Sequence, residues 1–385
     1  MVESRWLRWI GPGIVALGAV GIVASTTVGA GPRAWAPRAC VGPPGERVAA
    51  ARDGTPPTPD LSADPWFRLD PVAADDGSLR GERLVVGRFG DVLTRSIDLP
   101  GEAFAAGPFG RMVLAGSDDG FSSRLELLDV GAACSWLVAT ERDVIRRATI
   151  DASGAVLYEM RVDRATRADL GIWRRRLDAT VPAEPVVGPI APDPTFGVTF
   201  STELTWDLAG ERLAVQSCGE YACRTRLLDP NDGSVAMLAE PDLGLLVGVD
   251  EDTVVTYADC HGLPCPVVST DIATGVRRVL AEDAGAAMLV DGPRGATLVH
   301  EVATPSGPGL RSVGLREAGT PDTVAVPDDM RLTGTPLTDS SETRLPAGWV
   351  LLTPDGHIPL DPTDHRPQLR HIPDGATVPL DEATR

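Results

Sequence analysis

Short runs rich in Val, Leu and Tyr return along this chain at nearly regular intervals, and that interval restricts the folds open to it. The runs RMVLAGS, AVLYEMRV, RLAVQSC, TVVTYAD, ATLVHEV and GWVLLT are centred near Val113, Val156, Ala214, Val255, Leu298 and Val350, so the steps are 43, 58, 41, 43 and 52 residues. Each run has six to eight residues, and turn-forming stretches such as GSDDG, DPNDG, DIATG and TPDG flank most of them, which is the pattern of strands joined by tight turns. No segment carries a 3.6-residue apolar stripe long enough for a convincing helix, so the region is all-β. A period of about 40–50 residues with about four strands per unit is the signature of a β-propeller.

Two units read from end to end. STELTWD, ERLAVQS, CRTRLLD and GSVAMLAE are the inner, second, third and outer strands of one; GLLVGVD, DTVVTYAD, CPVVSTD and GVRRVLAE repeat that order in the next. The count predicted is six blades, with seven as the alternative. The hairpin RLVVGRFGDVLTRSIDL decides between them. It precedes the Val113 run by only 28 residues, too few for a separate blade, and is expected to close the ring against the C-terminal stretch AGWVLLTPDGHIPL, removing a sheet edge.

Three regions follow. Residues 81–385 are the propeller. Residues 31–80 are rich in Pro, Gly, Ala and Asp, and prolines block ladder hydrogen bonds, so this stretch is expected to be a linker or an arm over the domain, with Trp66 and Phe67 as docking points. Residues 1–30 are an N-terminal hydrophobic helix. Arg5 and Arg8 precede 24 uncharged residues, up to Arg33, roughly 36 Å of helix at about 1.5 Å per residue. It reads either as a signal peptide, with Val28-Gly29-Ala30 or Ala34-Trp35-Ala36 as a small-x-small site, or as a membrane anchor with Arg5 and Arg8 on the cytoplasmic side. Both readings put the rest of the chain outside the cytoplasm.

The six cysteines fit that location. Cys218 and Cys223 are separated by four residues, as are Cys260 and Cys265, and both cysteines of the first pair recur 42 residues later. Each pair flanks a connection between the second and third strands of a unit, where cross-strand β-carbons approach closely enough to form a disulfide. Each bridge closes a small loop, with about 2 kcal/mol of unfolded-state entropy removed. Cys40 and Cys134 then pair across a long loop, for about 4–5 kcal/mol by the same model. Zinc is disfavoured by the four-residue spacing and an oxidising compartment. CHGLPC puts His261 in the wrong place for c-type haem attachment.

Composition excludes other classes. The net charge is −19 and all 35 basic residues are arginine, a bias of GC-rich bacterial coding sequence. Nucleic acid and anionic lipid headgroups are poor partners for such a chain. The run Arg174-Arg175-Arg176 reads as a solvated strand edge or loop. Asp229, Asn231 and Asp232 in DPNDGS resemble calcium ligands, but Gly233 stands where a ligand belongs, so a solvated turn is expected there and at SDDG, 117–120. There is no Gly-x-Ser-x-Gly elbow and no phosphate-cradling loop. Of the histidines, His357, His365 and His371 fall in a Pro-rich surface stretch, and His300 falls in a strand. No catalytic residue, cofactor or metal site is assigned.

LTWDLAGERLAVQS resembles the repeat of TolB-type propellers, in which a Trp-Ser-Pro-Asp-Gly turn precedes a short apolar strand. Trp206, Gly210, Leu213 and Val215 fit it, whereas Asp207-Leu208-Ala209 replaces the Ser-Pro-Asp run; ATIDASGAVLYEM fits more loosely through Asp151, Gly154 and residues 155–158. The resemblance covers two blades by motif and about 300 residues by period, and it implies fold rather than activity, since such propellers serve as binding platforms, periplasmic assembly factors and accessory domains of peptidases. The expected function is an extracytoplasmic, membrane-anchored or secreted scaffold that binds a protein or small ligand at a propeller mouth. The alternative is a secreted propeller hydrolase or lyase working through acidic residues of the central funnel.

Overall fold

The structure, a computed structural model, describes residues 33–42, 44, 65–73, 79–88, 95–109, 112–151, 153–177, 182–190, 200–219, 222–238, 244–258, 263–292, 295–305, 307–316, 322–326, 330–332, 342–343, 349–354, 368–371 and 377–379. The N-terminal hydrophobic helix, Cys260, His261, His357 and His365 lie outside them. No helix among the described residues is long and apolar enough to cross a membrane.

The described strands make seven sheets. Two short strands come first, β1 (Arg33–Ala34) and β2 (Arg38–Ala39). Sheet 1 joins β3 (Pro65–Ala73), β4 (Leu79–Arg88) and β5 (Arg95–Pro100), with β1 added parallel to β5. Sheet 2 holds β6 (Glu102–Phe109), β7 (Met112–Asp118), β8 (Ser123–Asp129) and β9 (Cys134–Glu141), with β2 parallel to β9. Sheet 3 is β10 (Val144–Ile150), β11 (Val156–Val162), β12 (Asp169–Arg176) and β13 (Glu184–Val187); sheet 4 is β14 (Phe200–Trp206), β15 (Leu213–Cys218), β16 (Cys223–Leu228) and β17 (Val235–Met237). Sheet 5 is β18 (Leu246–Asp250), β19 (Thr253–Tyr257), β20 (Cys265–Asp271) and β21 (Arg277–Ala284); sheet 6 is β22 (Ala287–Gly292), β23 (Gly295–Thr304), β24 (Gly307–Gly314) and β25 (Asp322–Ala325). Sheet 7 combines β26 (Met330–Leu332) with β28 (Trp349–Pro354), β29 (Gln368–His371) and β30 (Thr377–Pro379), while β27 (Glu342–Thr343), from the connection within that sheet, pairs with β6.

The six periodic runs are the second strands of sheets 2 to 7, and the two units read end to end are sheets 4 and 5, strand for strand. Two features differ from expectation. Residues 65–73 belong to a strand rather than to the linker or arm, and Phe67 is fully buried. Pro65 and Pro71 are tolerated because β3 lies at the edge of its sheet, where a missing N–H breaks no ladder bond. The hairpin after residue 81 pairs with β3 in a sheet of its own rather than with the C-terminal strands. This is why seven sheets are seen where the spacing favoured six.

Apolar clusters fill the seams between consecutive sheets. Phe104, Met112, Leu114, Leu125, Leu127 and Trp136 of sheet 2 meet Ile145, Ala148, Ile150 and Leu157 of sheet 3. Tyr158, Met160 and Ile172 of sheet 3 meet Leu204, Trp206, Leu213 and Val215 of sheet 4. The fold is stabilised mainly by this burial. A polar latch recurs beside it. The Oγ of Ser123 accepts from the Ile145 N–H (3.0 Å), Asp169 Oδ2 from Ser201 (2.8 Å), Gln216 Oε1 from Leu246 (3.0 Å) and Glu301 Oε1 from Leu332 (2.6 Å). In each case a side chain of one sheet satisfies the opening strand of the next, so the sheets are held in register as well as packed.

The turns that carry the family resemblance share one geometry. Asp151 Oδ1 accepts from the N–H groups of Ala155 and Val156, and Asp207 Oδ1 from those of Glu211 and Arg212. Gly154 and Gly210 both have φ 73°, which costs a glycine little. Trp206 packs edge-on against Tyr158, with ring centroids 5.7 Å apart, and its Nε1–H donates to Thr149 Oγ1 at 3.1 Å.

The N-terminal arm is strapped along two sheet edges. The N–H of Trp35 donates to Ser96 C=O (2.7 Å), Arg95 stacks 5.4 Å from the Trp35 ring, and the N–H of Cys40 donates to Ser135 C=O (2.9 Å). Cys40 is bonded to Cys134, with a Cα separation of 5.1 Å, and Trp136 Nε1–H reaches Gly42 C=O at 2.8 Å. The arm thus supplies backbone partners to edges that would otherwise be open for pairing.

Candidate functional site

The first strands of sheets 2, 3 and 4 begin side by side, and a crevice of about 390 Å³ lies between their starts. Its walls include Glu102 and Ala103 of β6, Asp118 at the end of β7, Val144 to Arg147 of β10, and Ser201 and Thr202 of β14; Phe104 and Met160 also line it. All lie at one mouth, because Glu102 pairs with Asp118, Val144 with Val162 and Phe200 with Cys218, the outermost pairs of their ladders. The chain enters this mouth through Gly101, at φ 65°, where a β-carbon would lie 1.8 Å from the Asp118 carbonyl oxygen.

Local backbone irregularities aim the crevice side chains. The ladder skips a residue between Ile145 and Arg147, between Ser201 and Glu203, and between Leu246 and Gly248. Arg146 and Thr202 are thus bulged residues, and a bulge redirects a side chain without ending the strand. Thr202 Oγ1 donates to Gln216 C=O (3.2 Å) and contacts Cys218 Sγ at 3.4 Å. The Cys218–Cys223 bridge therefore stands directly behind one crevice wall.

Most of the charge here is already paired. Arg164 grips Asp118 with two nitrogens, Nη1 at 2.9 Å and Nη2 at 2.5 Å, and Ser123 Oγ–H donates to the same carboxylate. Burial alone would raise the Asp118 carboxyl, but bonds from Arg164, Ser123 and the Gly120 N–H outweigh it and hold it below the usual carboxylate range. Arg147 reaches Glu203 Oε1 and the Thr202 carbonyl, both at 3.2 Å. Arg146 and Glu102 are different. Both are exposed, and neither has an ion-pair or hydrogen-bond partner among the described residues. Near Glu102 stands Glu82 of sheet 1, whose Oε2 is buried without a partner; burial first, and then the Glu102 charge, push this carboxyl upward.

A buried ion cluster lies behind the same mouth. Glu159, fully buried, accepts from Arg161 Nη2 at 2.5 Å and from Arg175, and both arginines also reach Glu141, the last residue of sheet 2. Arg161 stacks on the Trp173 ring at 4.7 Å. Burial would raise the Glu141 carboxyl, yet Arg175 and Arg161 overcome it and lower it. The reading of Arg174-Arg175-Arg176 as a wholly solvated run is thus corrected. Side chains alternate across a strand, so Arg175 enters the seam while Arg174 forms an exposed pair with Glu184 at 2.6 Å.

The structure bonds Cys218 to Cys223 and Cys40 to Cys134, and Cys265 is also disulfide-bonded. Asp229 and Asp232 accept from the N–H groups of Asn231 and Ser234, so these acids are occupied within their own turn. Asp119 accepts from the N–H groups of Phe121 and Ser122. Among the described residues no group of three His, Cys, Asp or Glu side chains is placed to hold a metal. His300 is fully buried, its Nδ1 3.2 Å from the Glu301 carbonyl and its Nε2 without a partner. Sequence reading did not single out Glu102, Arg146 or Arg147. One signal was present: in VIRRATI, two successive arginines interrupt the alternation of a strand, which is how a bulge shows itself.

No family model matches the chain, and no curated protein matches it. Solved structures do. A structure from an analysis of two prolyl endopeptidases aligns with TM-score 0.54 at 13% identity, covering 87% of this chain and 51% of that one. The β-propeller domain of the Trilobed protease from Pyrococcus furiosus, described as having an open velcro topology, aligns with TM-score 0.50 at 12% identity, covering 82% of this chain and 97% of that one. TolB from Acinetobacter baumannii gives TM-score 0.44 at 13% identity over 66% of this chain, and this chain spans 61% of its length. The fold is that of a β-propeller.

Proposed function

We propose that this protein is an extracytoplasmic binding scaffold, a propeller whose seven sheets are its blades, and that it takes its ligand at the mouth where the first strands of sheets 2 to 4 begin. The observation that carries this reading is the crevice itself. It leaves Arg146 and Glu102 unengaged at a mouth where Asp118, Arg147, Arg164 and Glu203 are all paired. Desolvated or free polar groups that converge on a concave surface are what a ligand site offers. The loops and strand ends that form it stand on a rigid, latched framework. The disulfides support an oxidising compartment, and the 24-residue uncharged run serves as export signal or membrane anchor.

The test is a ligand screen on the full chain, read as a shift in melting temperature. Ala103 lines the crevice, and Ala103→Trp fills it. A ligand that stabilises the wild-type protein and leaves a folded Ala103→Trp protein unaffected supports the reading. Ligands that stabilise both proteins equally bind elsewhere and defeat it.

A further inference from the structure

From the same crevice we infer the class of ligand: a short peptide with a free ammonium group and a free carboxylate, the first at Glu102 and the second at Arg146. This rests on the crevice being the binding site. The two unpaired charges belong to different walls, Glu102 to the start of β6 and Arg146 to the bulge of β10. Between them Val144, Ile145, Phe104 and Met160 supply buried apolar lining, which suits an aliphatic side chain. A volume of about 390 Å³ is at the low end for ligand pockets and admits a peptide of a few residues.

Charge decides between ligand types. The whole protein carries −19, so a simple anion is opposed by the overall field and by Glu102 at the site. A simple cation is attracted to much of the surface and meets Arg146 here. A zwitterion satisfies both poles of the crevice at once. The guanidinium of Arg146 is planar and forked, matched to a carboxylate. An ammonium beside Glu102 also relieves the repulsion that Glu102 exerts on the half-buried Glu82 carboxyl.

Isothermal titration of the full chain, purified in detergent, with four forms of the tripeptide Ala-Leu-Ala tests this: free, N-acetylated, C-amidated and doubly blocked. The expected result is binding of the free peptide, weakened about tenfold or more by each block, as for loss of one charge-assisted hydrogen bond. In Arg146→Gln the amide and the free acid bind alike; in Glu102→Gln the acetylated and free amines bind alike. Both side chains are exposed, so neither variant endangers the fold. Equal binding of all four forms to the wild-type chain, or binding of none at millimolar concentration, overturns the zwitterion. In that event a different ligand lost in Ala103→Trp leaves the mouth as the site, whereas ligands indifferent to Ala103→Trp remove that reading as well.

Discussion

Sheets 2 and 3 meet across an apolar cluster with four charged side chains buried beside it, whereas sheets 5 and 6 meet mainly across aliphatic side chains, with one tyrosine and His300. In the first seam Glu141, Glu159, Arg161 and Arg175 share hydrogen bonds with almost no exposure of Glu159 and Arg161. In the second, Val255, Val267, Leu280, Leu289 and Leu298 fill the space, and Tyr257 O–H donates to the Gly285 carbonyl at 3.1 Å. Apolar packing tolerates small shifts between sheets, because it has no directional requirement. A four-member ion cluster does not, because each guanidinium must meet its carboxylates at fixed geometry. The directional seam is the one at the crevice: Arg161 is the ladder partner of Ile145, next to the bulged Arg146. The molecule thus places its stricter alignment where two walls of the crevice face each other.

The largest effect is expected from breaking that cluster at its centre. Glu159→Ala leaves Arg161 and Arg175 in the seam with Glu141, itself at the seam's edge, and a long 3.9 Å contact from Arg161 to Asp143, and should cost about 3–5 kcal/mol in urea unfolding, as for other buried pairs stripped of one partner. Replacing the set together, by Glu159→Leu, Arg161→Met and Arg175→Leu, should restore most of that stability while weakening any ligand held in the crevice. If the triple variant binds as well as the wild type, the cluster does not align the walls. In the apolar seam, Leu298→Ala should cost about 3 kcal/mol through the cavity it leaves, with ligand affinity unchanged. A loss of affinity there would show that the two seams are not specialised as described.

The same contrast explains what the sequence could and could not disclose. Strand runs such as RLAVQSC and TVVTYAD were legible because burial on a sheet selects Val, Leu and Tyr at a short period, and the repeat step followed from them. Strand β3 was not, because Pro65 and Pro71 carry a signal against strands that holds for sheet interiors and fails at edges. The Cys218–Cys223 hairpin was legible from local spacing alone. The crevice was not: Glu102, Arg146 and Thr202 are separated by more than 40 residues at each step and converge only because three sheets stand side by side. Arg175 is similar. Its neighbours in sequence describe a basic run, and its partner Glu141 lies 34 residues away, so its burial is decided by the seam and not by the strand.

Acid offers the smallest effect and the finest discrimination, because the two seams titrate in different windows. His300 faces the apolar seam, on the side of β23 shared with Leu298 and opposite the Glu301 latch. Its burial, with some help from Arg311, depresses its pKa below the ordinary value of 6.5, against the hydrogen bond to the Glu301 carbonyl and the charge of Asp283. A histidine that resists protonation when folded accepts a proton freely when unfolded, so this seam is fully stable above about pH 6.5 and loses stability as pH falls below it. Glu141 is depressed below 4.5 by its arginines, so the ionic seam keeps its contribution above about pH 4.5 and loses it only as pH falls further. Between these values only the apolar seam should weaken. Melting temperatures recorded from pH 7 to pH 5 should therefore decline less in His300→Gln than in the wild type, while Glu141→Gln should shift the whole curve without changing its slope in that range. Parallel curves for wild type and His300→Gln would show that the buried imidazole is not what makes the apolar seam acid-sensitive.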